Sequence, residues 1–373
     1  MSTGWSSGPE PVLSPAEIRA TADAIASAQL PDGNIPWIPG GHTDPWNLVE
    51  AAMALDVGGR HDDATRAYEW LQSMQLGEGG WHAYYVGTTI EDPTLDTNVA
   101  CYIAVGVWHH YLTTGDTAFL RDFWPVVERT IDYALAYQTK TGEIAWRADD
   151  PADGALLTGS SSIHLSLRCA IAIAERLGHD RPDWELSLGA LAIAIAHRPD
   201  AFLDKGRWAM DWYYPVLGGV LRGEPAHMRI AAFWDTFVVE GRGVRCVSDQ
   251  PWITAAETCE LVMALDAIGE TERAQQLFTW VQFLRHDDGA YWCGMNFDGG
   301  RFDLPGEHYT PDHPTWNSAA VLLAAHALYG EGPTAGLFRG ENLPVGLTRE
   351  ELIAAGAEIE AERSTARHRR PDR

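Results

Sequence analysis

Apolar residues recur at helical spacing along most of the chain, in segments cut by loops of Gly, Pro and Asp. Strand-like alternation is nearly absent. The pattern predicts twelve helical segments, over residues 15–29, 44–57, 61–75, 96–114, 117–138, 158–178, 182–197, 211–222, 225–239, 251–269, 271–285 and 314–330. Every second segment, beginning with 44–57, is small and apolar on all sides, as in AAMALDVGG and CYIAVGVWHHYL. Their partners carry charge along one face, as in HDDATRAYEWLQSMQ and TERAQQLFTWVQFLR. A helix apolar all round must be buried, and an amphipathic one covers it. The pattern therefore predicts an inner and an outer set of helices.

Connector length alternates in the same way. Links from inner to outer segments are short (GGRHDD, TTGDT, GHDRPD), whereas links back are long and aromatic, as in GEGGWHAYYVGTTIEDPTL and HDDGAYWCGMNFDGGRFDLPGEHYTPDH. The long loops must then collect at one end, where the inner helices begin, and loops held by a rigid scaffold are where function concentrates. An internal repeat agrees. DPWNLVEAAMALD, beginning at Asp44, aligns without gaps with TAAETCELVMALD from Thr254, PTWNSAAVLLAA from Pro314 and LDTNVACY from Leu95. In this register Asn47, Asn98 and Asn317 share one layer, in which Glu257 replaces the amide, and Glu50 and Glu260 share the layer below. Six helical hairpins of this kind close into an all-α, single-domain (α/α)6 toroid over residues 14–335. Residues 336–373 are expected to form one amphipathic helix and a basic tail.

With 27 Lys+Arg against 52 Asp+Glu, the net charge is −25, which argues against a nucleic-acid or anionic-membrane partner. No apolar run approaches the roughly 18 residues of a membrane span, and the start shows no secretion signal. Five scattered cysteines read as reduced thiols of a cytoplasmic protein. Only two of the basic residues are lysines, a bias of GC-rich bacterial genomes, and the 16 tryptophans are many for a soluble domain.

QLGEGGW, from Gln75 to Trp81, fits the QxxxGxW repeat of squalene–hopene cyclases, with looser echoes in QLPDGNIPW and HDDGAYW. We read these as turns that end an outer helix, with Gly as the cap and Trp plugging the loop into the core. The cyclase chemistry does not follow. DxDD is missing, and DDPAD at Asp149–Asp153 sits in a Pro-containing loop unsuited to stacking carboxylates on a helix face. Asp249, Cys259 and His313 lack the spacing of a prenyltransferase zinc site. The chain instead resembles the six-hairpin glycoside hydrolases. Over the toroid it is most similar to the actinobacterial methylmannose polysaccharide hydrolases, which are α-endomannosidases. That resemblance implies an α-mannoside substrate and an inverting mechanism.

Glycoside hydrolysis needs two carboxyl groups flanking the bond. The acids on inner-helix starts and long loops are Asp44, Glu50, Asp96, Asp211, Asp249, Glu257, Glu260, Glu307 and Asp312. Glu257 breaks the amide layer of a quasi-symmetric ring, and Glu260 lies one turn deeper on the same face, where burial would raise its pKa toward general-acid use. Asp44 stands before Pro45 at the mouth, both a good helix cap and well placed for catalysis. The expected catalytic set is Asp44 with Glu257 or Glu260, with Asp96 in reserve. If the enzyme inverts, the two carboxyls stand about 6.5–9.5 Å apart. Substrate is expected against His42, Trp46, Asn47, Asp96, Asn98, Trp252, Trp316 and Asn317, because sugars pack apolar faces on aromatic rings and offer hydroxyls to amides and carboxylates. The amide layer predicts Asn47, Asn98, Glu257 and Asn317 around one opening. The reaction needs no cofactor or metal, and the partner is an oligo- or polysaccharide. Two rival readings remain at this level, a terpenoid- or prenyl-handling toroid and a non-catalytic carbohydrate-binding toroid. The first would have a greasy cavity without a central carboxylate pair.

Overall fold

The computed structural model describes residues 11–299 and 312–347. In chain order its helices are α1 (Pro15–Ala28), α2 (Pro45–Val57), α3 (His61–Met74), α4 (Thr97–Cys101), α5 (Ile103–Thr114), α6 (Thr117–Leu135), α7 (Leu157–Leu177), α8 (Pro182–His197), α9 (Ala209–Leu217), α10 (Gly223–Phe237), α11 (Ala255–Ala267), α12 (Thr271–Trp280) and α13 (Thr315–Tyr329). The inner ring runs α2, α4–α5, α7, α9, α11, α13 and back to α2, each packed on the next. The small, apolar segments are the ones inside. Every residue of α11 from Ala255 to Leu265 is buried, whereas α3 buries one stripe of Ala64, Ala67, Tyr68, Trp70 and Leu71. Side chains as small as alanine let six helices approach closely without voids. The fold is the (α/α)6 toroid.

Three details depart from the sequence reading. The segment over 96–114 breaks at Tyr102, whose ring stacks on Trp46 with centroids 3.6 Å apart. The segment over 251–269 begins as a strand and turns helical only at Ala255. The described residues include six short strands. β1 (Tyr84–Val86) and β2 (Thr89–Asp92) form a hairpin, while β3 (Val238–Val239), β4 (Gly243–Arg245), β5 (Trp252–Thr254) and β6 (Gly294–Asn296) pair antiparallel in that order. Strands of two to four residues are too short to show a period of two, so they do not stand out from the loops and segment ends in which they lie. The C-terminal helix expected beyond 347 and the candidate Glu307 lie outside the described residues.

The outer ring is stapled by a repeated turn. At the end of α3, the Gln75 side-chain amide donates to the Gly79 carbonyl (3.0 Å) and to the Val126 carbonyl on α6 (3.0 Å). Gln29 does the same to Gly33 (3.0 Å) and Asp63 on α3 (2.9 Å), and Gln138 to Gly142 (2.9 Å) and Ser187 on α8 (2.9 Å). Each glycine has positive φ and presses its bare Cα on the next outer helix; a Cβ on Gly79 would lie 2.4 Å from the Arg129 oxygen. Trp81, 1% exposed, closes the turn by donating from Nε1 to the Leu71 carbonyl (2.9 Å). The cyclase-like motif is thus structural here.

Candidate active site

The long loops and the starts of the inner helices enclose one cavity of about 660 Å³, within the range of small-molecule sites. Its floor and walls carry Asp44 and Glu50 from the α2 strip, Asp96 from the start of α4, and Glu257 and Glu260 from α11. A terpenoid-handling cavity would have no such central carboxylates. Four of these acids are nearly removed from solvent: Asp44 is 5%, Glu50 4%, Glu257 8% and Glu260 5% exposed.

Asp44 is both cap and cavity wall. Oδ1 accepts from the Asn47 backbone N–H (3.0 Å), and Oδ2 accepts from Trp37 Nε1 (2.6 Å) and Asn47 Nδ2 (2.6 Å). Burial raises its pKa, and these three donors oppose the rise by stabilising the carboxylate. The Asp-Pro start therefore serves the helix with one oxygen and turns the other toward the cavity side.

Across the cavity, β5 leads into α11 and delivers Thr254 as its cap residue. The Thr254 hydroxyl donates to Glu257, three residues into the helix. One turn deeper, Glu260 accepts from the hydroxyls of Tyr213 and Tyr214 on α9, one at each carboxylate oxygen. Burial first, then the charge of Glu257, pushes the Glu260 pKa up to about 8, against the two phenols. Glu50, at the same depth on α2, is held well above the usual range by burial and by Glu260. Repulsion from Glu260 thus disfavours ionising both carboxyls at once. Asp96 caps α4 through the Val99 N–H (2.9 Å), and burial in the cavity wall lifts its pKa to about 6.

The structure brings together Asp44, Trp46, Asn47, Asp96, Asn98, Trp252, Glu257, Glu260 and Trp316 on one cavity surface. Two expected contacts are corrected. Asn317 is fully buried and off the cavity, because its Oδ1 accepts from the Ala256 N–H (3.0 Å) and so caps α11 from α13. His42 is also absent from the lining. It pairs with Glu91 (3.0 Å) and packs on Trp37 and Tyr84 beside the mouth. Of the other acids, Asp249 pairs with Arg207 (2.9 Å) and Asp211 accepts from Thr158 (3.1 Å), neither on the cavity surface. The tyrosines that grip Glu260 were not anticipated. They sit in the run DWYYP, where nothing in the spacing marks them as more than core. Trp37, Tyr84, Trp146 and Trp208 join the wall, while Trp81 and Trp212 are packing residues.

No family model matches the chain. It is 49% identical over 342 residues to the MMP endo-(1,4)-3-O-methyl-alpha-D-mannosidase of Mycolicibacterium hassiacum, covering 91% of this chain and 93% of that one. A wild-type glycosidase structure superposes with a TM-score of 0.68 at 17% identity, over 84% of this chain and 96% of that one. A rhamnosidase from Klebsiella oxytoca does so with a TM-score of 0.60 at 18% identity, over 85% and 65%. The two structural likenesses establish the toroid, and among the described residues no helix is long and apolar enough to cross a membrane. A shared sequence over nine-tenths of both chains goes further: this chain belongs to the family of the M. hassiacum mannosidase and is a glycoside hydrolase.

Proposed function

We propose that the chain cleaves internal α-(1,4) linkages of a 3-O-methylated mannose polysaccharide, in the cytoplasm, with inversion at the anomeric carbon. One observation carries the reading: acids from α2 and α11 converge on a single tryptophan-walled cavity in a chain with this relative. Glu260 is the proton donor. Its raised pKa keeps the proton on at neutral pH, and once the proton passes to the leaving oxygen, Tyr213 and Tyr214 donate to the carboxylate left behind. Asp44, whose three donors favour its charged form, draws the proton from the attacking water on the opposite face of the sugar ring. Inversion requires these two carboxyls to stand about 6.5–9.5 Å apart, leaving room for that water. Glu257, held by Thr254, fixes the start of α11 and the field around Glu260.

Trp37, Trp146, Trp208 and Trp316, the tryptophans of the wall that keep exposed surface, offer apolar faces to pyranose rings, and Met210, Val99 and Val247 offer apolar wall to methyl ethers, which lack the hydrogen-bond donor of a free hydroxyl. The five cysteines are all unpaired, in keeping with a reducing compartment. The test is release of reducing ends from α-(1,4)-mannosides with and without 3-O-methyl groups, beside glucan-type oligosaccharides, with the product anomer followed by NMR. Preferential cleavage of the methylated mannoside, with the β-anomer formed first, is expected. Turnover of glucans alone, or initial α-anomer, refutes the substrate or the stereochemistry respectively.

A further inference from the structure

Two loops meet next to the cavity wall at a place the hydrolysis does not use. His286 and Asp288 lie in the turn that follows α12, and His313 immediately precedes Pro314, the cap of α13. One ligating atom of each of these three side chains lies within 4.8 Å of the others. His286 Nδ1 is 2.9 Å from Asp288 Oδ1, and the two imidazoles lie against each other with centroids 4.3 Å apart. Trp292 packs edge-on against His313 at 4.1 Å and screens one side of the group. His313 Nε2 is buried, with no hydrogen-bond partner among the described residues.

The backbone holds these positions. The His286 N–H donates to Ala290 (2.8 Å), the Asp288 carboxylate accepts from the Ala290 N–H (2.9 Å), and the Cys293 N–H donates to Asp312 (3.0 Å). The ligand donors therefore come from two loops already tied together. The two imidazoles are tilted by 39° with centroids 4.3 Å apart, and one ligating atom of each lies within 4.8 Å of the Asp288 carboxylate, which leaves a cation a place among the three. Two nitrogens and one carboxylate oxygen make a borderline donor set, suited to Zn²⁺ and poorly suited to Ca²⁺ or Mg²⁺.

We propose that His286, Asp288 and His313 form a structural site for a divalent transition metal, Zn²⁺, with water as the fourth ligand. The site lies outside the reaction and does not depend on the substrate assignment. Its consequence is mechanical. Cys293 lines the cavity, and its carbonyl accepts from the Ala255 N–H (3.3 Å), two residues before Glu257. A metal staple at His313 and His286 thus stiffens the wall from which α11 starts.

The test is isothermal titration of Zn²⁺ into the chelator-treated full chain, with Co²⁺ absorption in the visible as a report on coordination. Saturable binding of one ion per chain is expected, with intense tetrahedral Co²⁺ bands. His313→Ala and Asp288→Asn should each weaken Zn²⁺ binding at least tenfold and lose those bands, while His227→Ala, on α10 and paired with Glu270, should bind as the unaltered chain does. The Asp288 side chain is 57% exposed, so Asp288→Asn keeps the fold and reads the site even if His313→Ala does not. No saturable Zn²⁺ binding, or unchanged affinity in Asp288→Asn, overturns the proposal.

Discussion

Replacing Glu260 by glutamine should abolish turnover and at the same time stabilise the protein, by an amount that grows with pH. Glu260 is raised from an ordinary value of 4.5 to about 8. Such a group is protonated in both folded and unfolded chains below pH 4.5. As pH climbs from there toward 8, the unfolded chain ionises the carboxyl and the folded chain does not. Each unit in that window therefore removes about 1.4 kcal/mol of stability. Between pH 5 and pH 7 the loss is roughly 2–3 kcal/mol, after allowing for partial ionisation of the unfolded chain at pH 5. Glutamine has the same shape and no charge to desolvate. Its Oε1 can accept from one tyrosine hydroxyl while its Nε2 donates to the other. The variant and the parent should thus unfold at similar temperatures at pH 5. At pH 7 the variant should lead by ~4–6 °C, taking ~2 °C per kcal/mol for a large domain. Scanning calorimetry at both pH values checks this, and reducing-end release checks the activity. A variant no more stable relative to the parent at pH 7 than at pH 5 would refute the strained-acid argument. Retained turnover would remove Glu260 from the chemistry.

Asp44→Asn places an amide where Trp37 and Asn47 both donate to Oδ2, and it cannot take a proton from water; kcat should fall by about 10²–10⁴, read in the same release assay. Gly79→Ala would adopt a φ of +108° and set a Cβ 2.4 Å from the Arg129 carbonyl; it should cost at least about 3 kcal/mol, measured as a drop in Tm, with activity per folded molecule little changed. Asp56, 2% exposed at the end of α2, would be raised by burial, but His109, His110 and His61 outweigh that and hold it well below the usual carboxylate range. Its stabilisation is therefore full at neutral pH and fades as pH falls. Asp56→Asn should cost about 2–3 kcal/mol near pH 7, and urea midpoints of parent and variant should converge below about pH 4.

What the sequence by itself determined is the scaffold and the place of the site. The alternation of all-round apolar and one-faced segments follows from burial alone, since an apolar helix has nowhere else to go. It separates the inner six helices from the outer six without reference to any contact. Connector lengths then place the aromatic loops at one end. The gap-free repeat puts Asn47, Asn98 and Glu257 in one layer, with Asp44 at the cap above and Glu50 and Glu260 one turn deeper, and all six line the cavity. The Gln-to-Gly turns were half legible. Gly after a helix marks the cap, but that Gln75 spans to Val126 and Gln138 to Ser187 on the neighbouring helices is a relation between elements, even though QTKTGEIAW from Gln138 to Trp146 repeats the spacing of QLPDGNIPW.

Tertiary structure decided which way side chains turn and what they answer to. Asn317 shares its layer with Asn47 and Asn98, yet it faces the start of α11, because there an unsatisfied N–H at Ala256 is closer than the cavity. His42 neighbours Asp44 in sequence but is taken by Glu91 from the β1–β2 hairpin. The state of Glu260 is set first by burial inside the closed ring and by Glu257 on its own helix, while the tyrosines that oppose the rise, Tyr213 and Tyr214, reach it from α9 only through that closure. Periodicity reports what one helix buries. A pKa is set by everything that surrounds the group, and that surrounding is assembled from segments far apart in the chain.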